Sequence, residues 1–465
     1  MQNRVVQLKP RVSDFSEALL AYSKGRFDVC LAALNGHDGP RAQALLARAS
    51  TRLGRVDVAL SACGEIKKGL PSVARGELHL LKSLAYLRLG RPDDAEESLS
   101  EARVAVSSSG SPELEADYEY VDANLRYYAK DIPAATSALE RALMVMPAQP
   151  RLGHGHEYFL SLGTVRARAL DLRGMLARTK GGLLSQLHWS RLALSELDAQ
   201  NQEDQWLSAT LLSNFAAVAL EVGEAELAPE LSQRSLAIEW AGSMKLQHFN
   251  IVRVLGWLKA LGGDHVGALR EFRRSTEFAP SIAWKIESVL DRAFLARELG
   301  QELFAEDELN HAIELASDLE LLAGPDLSIA CVALVKLAEQ AAKRDADEGR
   351  AILNRYRSAR SKCPAIYFDG MDRFWQAQEL IAEATLARAE NRDQLAVDLF
   401  VNAFDAYDKL GSQWRAALVA LELAEMTEQP FFYGYAAREA RRRPQSWLAR
   451  RLAVLSAKQP ELRFG

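Results

Sequence analysis

The same short turn recurs along the chain, and it separates two runs of residues with helical spacing. In Val252–Pro280 the first run ends at Gly263, and Ala268 and Phe272 follow at steps of five and four residues. Residues three or four positions apart lie on one face of a helix. A small residue on that face lets a second helix approach, and the large residue fills the next groove. The stretch therefore predicts two helices packed across a tight turn.

Weaker copies of this unit cover most of the chain. The turn residue is usually glycine, and the candidates are Gly25, Gly54, Gly90, Lys130, Gly223, Gly263, Gly300 and Asn391. About five positions after each turn comes a small residue: Cys30, Ala59, Ala95, Ala135, Ala228, Ala268, Ala305 and Ala396. We expect each turn residue to take a backbone conformation that ends the first helix. Because one pair of helices cannot bury its apolar face alone, the pairs are expected to stack in a row.

The best copies carry the spacings of a known repeat. Val252–Pro280, Leu81–Ala102 and Ala123–Pro147 resemble the tetratricopeptide repeat, although Lys82 stands where that repeat usually has an aliphatic residue. The long helices also resemble the sensor-type repeat domains of the large bacterial MalT/LuxR-type regulators. The resemblance implies an all-α fold, a right-handed superhelical solenoid of helix-turn-helix repeats.

No stretch has the composition of a linker between domains. At 465 residues a compact core would normally divide, but a linear stack of repeats need not. We therefore predict one superhelix over residues 1–465. Its N-terminal repeats would occupy 1–150 and its central repeats 151–360, with C-terminal repeats and basic capping helices in 361–465.

The same resemblance implies where a partner would bind. In tetratricopeptide proteins the first helix of each pair lines the concave face. By that register Leu84, Asn124, Trp257 and Phe294 point inward, with Arg253 one turn before Trp257. These positions are mostly apolar, which favours an amphipathic helix or an extended segment as the ligand. The alternative is that Trp257 and Phe294 are ordinary packing residues.

Two other groups of residues are candidate contact surfaces. The aromatic residues around one irregular stretch would anchor an interface if exposed, or close the end of the core if buried. They are Tyr367, Phe368, Phe374 and Trp375. The second group is a basic patch that would contact nucleic acid or an acidic partner, or would simply be the polar face of a capping pair. It consists of Arg438, Arg441, Arg442, Arg443, Arg450 and Arg451.

Composition and cysteine usage bound the compartment and the partner. The net charge of -5 argues against a protein dominated by phosphate binding. Cys30, Cys63, Cys331 and Cys363 form no C-x-x-C pair, and reduced thiols are expected. The opening residues lack the apolar core of a signal peptide, and no run approaches the length of a membrane span. These observations predict a cytoplasmic protein without a membrane partner, and leave its oligomeric state open.

The sequence contains no recognisable catalytic signature. Phosphate loops, nucleophile elbows and the H-E-x-x-H zinc motif are absent. His154 and His156 are the nearest approach to a pair of metal ligands, but no cysteine or carboxylate cluster accompanies them. We therefore predict a non-enzymatic protein without metal or cofactor.

Together these features favour a scaffold or adaptor that holds a peptide or protein in its concave groove. One alternative is a sensor module of a bacterial regulatory system that binds a small ligand or a regulator protein. Another is direct nucleic-acid binding through the C-terminal arginines.

Overall fold

The computed structural model describes residues 15–64, 66–145, 160–179, 182–199, 204–317, 319, 325–363 and 372–458. The chain divides into two compact units. The first unit consists of Met1–Leu172, Ala193–Ser208 and Glu239–Met244. The second unit consists of Arg173–Leu192, Ala209–Ile238 and Lys245–Gly465.

The described residues form α-helices joined by short turns. The first eleven helices are α1 (Phe15–Ser23), α2 (Phe27–Ala33), α3 (Pro40–Arg52), α4 (Val56–Cys63), α5 (Ser72–Arg88), α6 (Pro92–Ser109), α7 (Pro112–Tyr128), α8 (Ile132–Met144), α9 (Leu162–Thr179), α10 (Leu183–Ala199) and α11 (Gln205–Val222). Two short 3-10 helices follow later, at Ala225–Leu227 and Gly242–Met244.

The remaining helices belong to the second unit. They are α12 (Ala228–Leu236), α13 (Lys245–Gly262), α14 (His265–Phe278), α15 (Ile282–Glu298), α16 (Glu302–Leu315), α17 (Pro325–Ala342), α18 (Ala346–Lys362), α19 (Asp372–Ala389), α20 (Asp393–Leu410), α21 (Gln413–Thr427), α22 (Pro430–Arg442) and α23 (Trp447–Lys458).

Consecutive helices pack in pairs, and this confirms the predicted all-α class and helix-turn-helix repeats. The pairs include α1 with α2, α3 with α4, α5 with α6, α7 with α8, α13 with α14, α15 with α16, α17 with α18, α19 with α20, and α21 with α22. In the second unit, α15, α17 and α19 also pack in sequence, so that the first helices of successive pairs form one layer.

The predicted turn residues all end a helix in the left-handed backbone region. Their φ angles lie between 59° and 92°, and they include Lys130 at 64° and Asn391 at 59°. The small residues that follow are buried at seven of the eight positions. Ala228 is the exception, because the 3-10 helix Ala225–Leu227 comes between its turn and α12 and leaves it half-buried.

Close helix contact explains one glycine inside a helix. A Cβ placed on Gly256 in α13 would lie 2.5 Å from the Cε1 of Phe272 in α14. Phe272 is fully buried, so its ring occupies the space that a side chain at position 256 would need. The first and second helices of this pair therefore meet where the sequence spacing predicted.

The cysteine side chains are buried thiols, as the sequence predicted. Cys30, Cys63, Cys331 and Cys363 are free thiols and all four are buried. Burial raises the pKa of the Cys30, Cys63 and Cys331 thiols to about 12. Among the described helices, none combines the length and the hydropathy that crossing a bilayer requires.

Candidate ligand-binding site

The first helices of five successive pairs in the second unit line one cavity of about 80 Å³. They are α13, α15, α17, α19 and α21, and α20 adds two aromatic rings. Each first helix contributes residues at steps of three or four, as Arg253 and Trp257 do in α13, and Asp291 and Phe294 do in α15. Because such residues share one helix face, the repeats present their inner faces to a common space.

Aromatic rings form the apolar wall of this cavity. The Trp257 ring centroid lies 5.6 Å from that of Phe294 and 5.7 Å from that of Trp414. Phe400 and Tyr407 from α20 complete the wall, and both are buried. Rings at these separations are in direct contact, so Trp257, Phe294 and Trp414 form one continuous aromatic surface.

A ladder of charged side chains runs beside the aromatic wall. Arg253 binds Glu287 at 2.8 Å and Asp291 at 3.0 Å, and Lys336 binds the same Glu287 oxygen at 2.6 Å. The other oxygen of Glu287, Oε1, is buried and has no hydrogen-bond partner among the described residues. Burial alone would lower the pKa of Arg253, but Asp291 and Glu287 outweigh it and raise that pKa.

The ladder continues through the next two repeats. Glu339 in α17 accepts a 3.0 Å hydrogen bond from Lys343 and a 2.9 Å bond from Gln378 in α19. Buried charges are tolerated when paired in this way. The inner face of the second unit therefore holds both apolar rings and mutually neutralised charges.

A second cavity of about 370 Å³ shares lining residues with the first. Arg451 from α23 lines this second cavity and binds Glu422 at 2.7 Å, Glu425 at 3.2 Å and Glu298 at 3.5 Å. Burial would raise the pKa of Glu422, but Arg451, Lys343 and Arg388 lower it to about 2. For Glu298 burial prevails over Arg451 and raises the pKa.

The predicted groove residues have different surroundings. Arg253, Trp257 and Phe294 lie together at the aromatic cavity. Leu84 and Asn124 belong to the first unit, where Leu84 packs against its apolar core. Asn124 donates a 2.8 Å hydrogen bond through Nδ2 to the main-chain oxygen of Tyr120, one turn earlier in its own helix.

The candidate aromatic interface is only partly described. Tyr367 and Phe368 lie outside the described residues. Phe374 is buried and its ring centroid lies 5.5 Å from that of Tyr407. Trp375 is half-buried and packs against the core of α15 to α19. For Phe374 and Trp375 the contacts are those of core closure.

The C-terminal arginines fall into two groups. Arg438, Arg441, Arg442 and Arg450 are exposed. Arg443 and Arg451 are half-buried: Arg443 donates to the main-chain oxygen of Gly223 at 3.1 Å, and Arg451 holds the three carboxylates named above. The exposed group also has partners: Arg442 binds Glu439 at 2.7 Å, and the Arg438 guanidinium lies 5.0 Å from the centroid of the Tyr435 ring. At least four of the six arginines are thus engaged within the second unit.

Sequence reasoning missed the contribution of α21. Trp414 and Arg415 begin this helix, and both line the cavity. The pair α21–α22 has no glycine at its turn. Glu428 takes the left-handed conformation there, with φ 54°, so the turn does not have the usual sequence signal. No group of three or more His, Cys, Asp or Glu side chains in the described ranges is arranged to hold a metal, and His154 and His156 fall outside those ranges.

Comparison with known proteins supports the fold. No family model and no curated protein matches the chain. A crystal structure of a Rap protein complexed with competence and sporulation factor matches with 17% identity and a TM-score of 0.51, over 84% of this chain and all of that one. The apo form of RapI matches with 12% identity and a TM-score of 0.45, over 75% and 96%. The apo form of the quorum sensor NprR from B. thuringiensis matches with 14% identity and a TM-score of 0.45, over 87% and 98%. The chain therefore has the tetratricopeptide-like helical-repeat fold of the Rap structure.

Proposed function

We propose that the second unit is a non-enzymatic binding scaffold that holds a peptide or protein segment on its inner face. The observation that carries the proposal is the convergence of five first helices on one aromatic cavity. A volume of about 80 Å³ accommodates one apolar or aromatic anchor side chain. The paired charges beside it supply a polar rim, which is the usual anatomy of a binding hot spot.

The likeness to the Rap structure supports a binding role. That protein is complexed with competence and sporulation factor. We propose by analogy that this chain also captures a partner, in the cytoplasm of a bacterium, and regulates or bridges other proteins by doing so. The analogy rests on fold, so the chemistry of the partner must come from the cavity itself.

The decisive experiment fills the cavity without removing a charge. Leu418 lines it and is half-buried, so Leu418→Trp should occupy the anchor position. Leu303→Trp is the matched control, because Leu303 in the same unit is 86% exposed. The full-length proteins are immobilised, incubated with lysate of the source cell, and the captured proteins identified by mass spectrometry.

We expect a specific partner to bind the wild type and the Leu303→Trp protein, and to be lost at least ten-fold with Leu418→Trp. Circular dichroism and thermal melting establish that both variants are folded. If a folded Leu418→Trp protein captured the partner equally well, the cavity would not be part of the binding surface. Absence of any specific partner would count against the scaffold.

The same cavity also supports a second candidate function, a sensor for a small ligand. Such a role fits the resemblance to sensor-type repeats of MalT/LuxR-type regulators. A thermal-shift screen of the wild type against a metabolite panel tests it. A ligand that raises the melting temperature of the wild type and of Leu303→Trp, but not of Leu418→Trp, supports this reading. A panel without any such ligand opposes it.

A further inference from the structure

Helix α23, the last of the described helices, packs against the inner face of the second unit instead of adding a further layer to the stack. In tandem repeats each unit normally contacts its sequence neighbours. Besides α22 and α21, α23 contacts α13 and α15, which lie far earlier in the chain. Its buried residues are Trp447, Leu448, Leu455 and Ser456.

Two side chains one helical turn apart make the defining contacts of α23. The Trp447 ring meets the Phe294 ring edge-on, with centroids 5.2 Å apart, and Trp447 is fully buried. Arg451 binds Glu422, Glu425 and Glu298. Phe294 lines the aromatic cavity, and Glu422 lines both cavities.

The contacts of α23 leave polar groups imperfectly satisfied. The buried Trp447 Nε1 has no hydrogen-bond partner among the described residues. An unpaired buried donor costs free energy that a solvated one does not. Glu298 is held by Arg451 only at 3.5 Å. The surface on which α23 packs, called here its seat, therefore provides aromatic and carboxylate partners for Trp447 and Arg451 but leaves the Trp447 Nε1 without a hydrogen bond.

We propose that α23 is a displaceable internal ligand and that the inner face recognises an amphipathic helix with an aromatic residue and an arginine one turn apart. The proposal rests on the proposed binding function and names its partner class. The partner's aromatic residue would replace Trp447 against Phe294, and its arginine would replace Arg451 among the three carboxylates. Helix-in-groove binding of this kind uses anchors at steps of three and four residues.

The test uses the full-length protein and a fluorescein-labelled synthetic peptide of residues 445–458, QSWLARRLAVLSAK. In the wild type the seat is filled, so the peptide should bind weakly. Arg451→Glu places a fourth carboxylate beside the three and should release α23. That variant should bind the peptide at least ten-fold more tightly than the wild type does. Trp447→Ala should act in the same direction if Arg451→Glu does not fold.

Two controls make the result specific. Lys458→Glu reverses an exposed charge on the same helix and should bind the peptide as weakly as the wild type. A peptide carrying Arg451→Glu should not bind the Arg451→Glu protein. Hydrogen exchange reports whether α23 has been released in each protein.

The outcomes separate the two proposals. If α23 is released and the emptied seat still does not bind the peptide, the internal-ligand proposal is wrong. The internal-ligand proposal is also wrong if a natural partner is lost with Leu418→Trp but is captured equally by the wild type and by Arg451→Glu. In that case the cavity is still a binding site, and the proposed function stands. Stronger capture by Arg451→Glu supports both.

Discussion

The indole nitrogen of Trp414 donates a 2.7 Å hydrogen bond to the main-chain oxygen of Leu220, which lies 194 positions earlier in the sequence. Beside it, Arg415 binds Glu221 at 2.8 Å, and the Ser412 hydroxyl donates to the Glu221 main-chain oxygen at 3.0 Å. The start of α21 is thereby fixed to the end of α11 within the second unit. Because a simple stack of repeats lacks such distant contacts, we expect this unit to unfold more cooperatively than an open array.

Arg253→Met should strongly destabilise the second unit. It would remove the guanidinium from Asp291 and leave Glu287 with Lys336 alone, although both carboxylates are buried. Breaking a buried ion pair from one side costs about 3–5 kcal/mol. Lys409→Met is the control, since Lys409 and Asp405 are exposed and 3.8 Å apart, and exposed pairs contribute at most about 1 kcal/mol. Urea denaturation measures both, and similar losses would show that the ladder is not a stabilising network.

Gly256→Ala should destabilise the protein by about 1–3 kcal/mol through overpacking. The new methyl group would collide with the buried ring of Phe272. Gly262→Ala provides the comparison at the end of the same helix, where a Cβ would have nothing within 4 Å. There alanine should be neutral or should stabilise by up to about 1 kcal/mol. In thermal melting we expect a lower midpoint for Gly256→Ala and an equal or higher midpoint for Gly262→Ala, and a harmless Gly256→Ala would contradict the close contact of α13 with α14.

Gly90→Ala tests backbone conformation without a packing change. A Cβ at Gly90 meets nothing within 4 Å, but the φ of 68° is unfavourable for alanine. The expected loss is about 1–2 kcal/mol. Gly69 is equally open and has no positive φ, so Gly69→Ala should be neutral or slightly stabilising. If chemical denaturation gave the same change for both, the left-handed turn would not determine the stability of this pair.

Two of the carboxylates that bind Arg451, those of Glu422 and Glu298, should contribute to the pH dependence of stability in opposite directions. The folded-state pKa of Glu422 is about 2, below its ordinary value of 4.5. Its stabilising contribution is therefore present above pH 4.5 and is lost as the pH falls towards 2. Glu422→Gln should lower stability at pH 7 by about 1–3 kcal/mol and flatten the decline in acid.

The pKa of Glu298 is raised above 4.5 by burial, so its charged form is the less favoured one in the folded protein. Any contribution from its neutral form is present below that value and is lost as the pH rises. Glu298→Gln should therefore leave stability at pH 7 unchanged or increase it. Urea midpoints of both variants between pH 3 and pH 7 decide the matter. A larger loss for Glu298→Gln than for Glu422→Gln would reverse the assignment.

Local spacing was sufficient to predict the repeats but not the distant contacts. Turn residues such as Lys130 and Asn391 could be recognised because their flanking residues keep helical steps. The register also placed Trp257 and Phe294 at one surface. The partners of Trp257 from α21 and of Phe294 from α23 could not be predicted, because no periodicity relates helices so far apart in sequence. The same limit applies to two members of the predicted basic patch, Arg443 and Arg451. Arg443 binds Gly223, which directly follows α11, and Glu439 on α22, and Arg451 binds carboxylates on α15 and α21.

The contacts of α21 and α23 impose an order of events during synthesis. Helices α13 and α15 leave the ribosome long before Trp414 and Trp447 exist to meet them. In that interval the rings of Trp257 and Phe294 lack their later neighbours, and the carboxylates of Glu298 and Glu422 lack Arg451. Exposed aromatic surface of this kind attracts chaperones and promotes aggregation. The nascent chain is therefore most vulnerable just before α21 to α23 emerge, and synonymous codons that slow translation there should lower its yield.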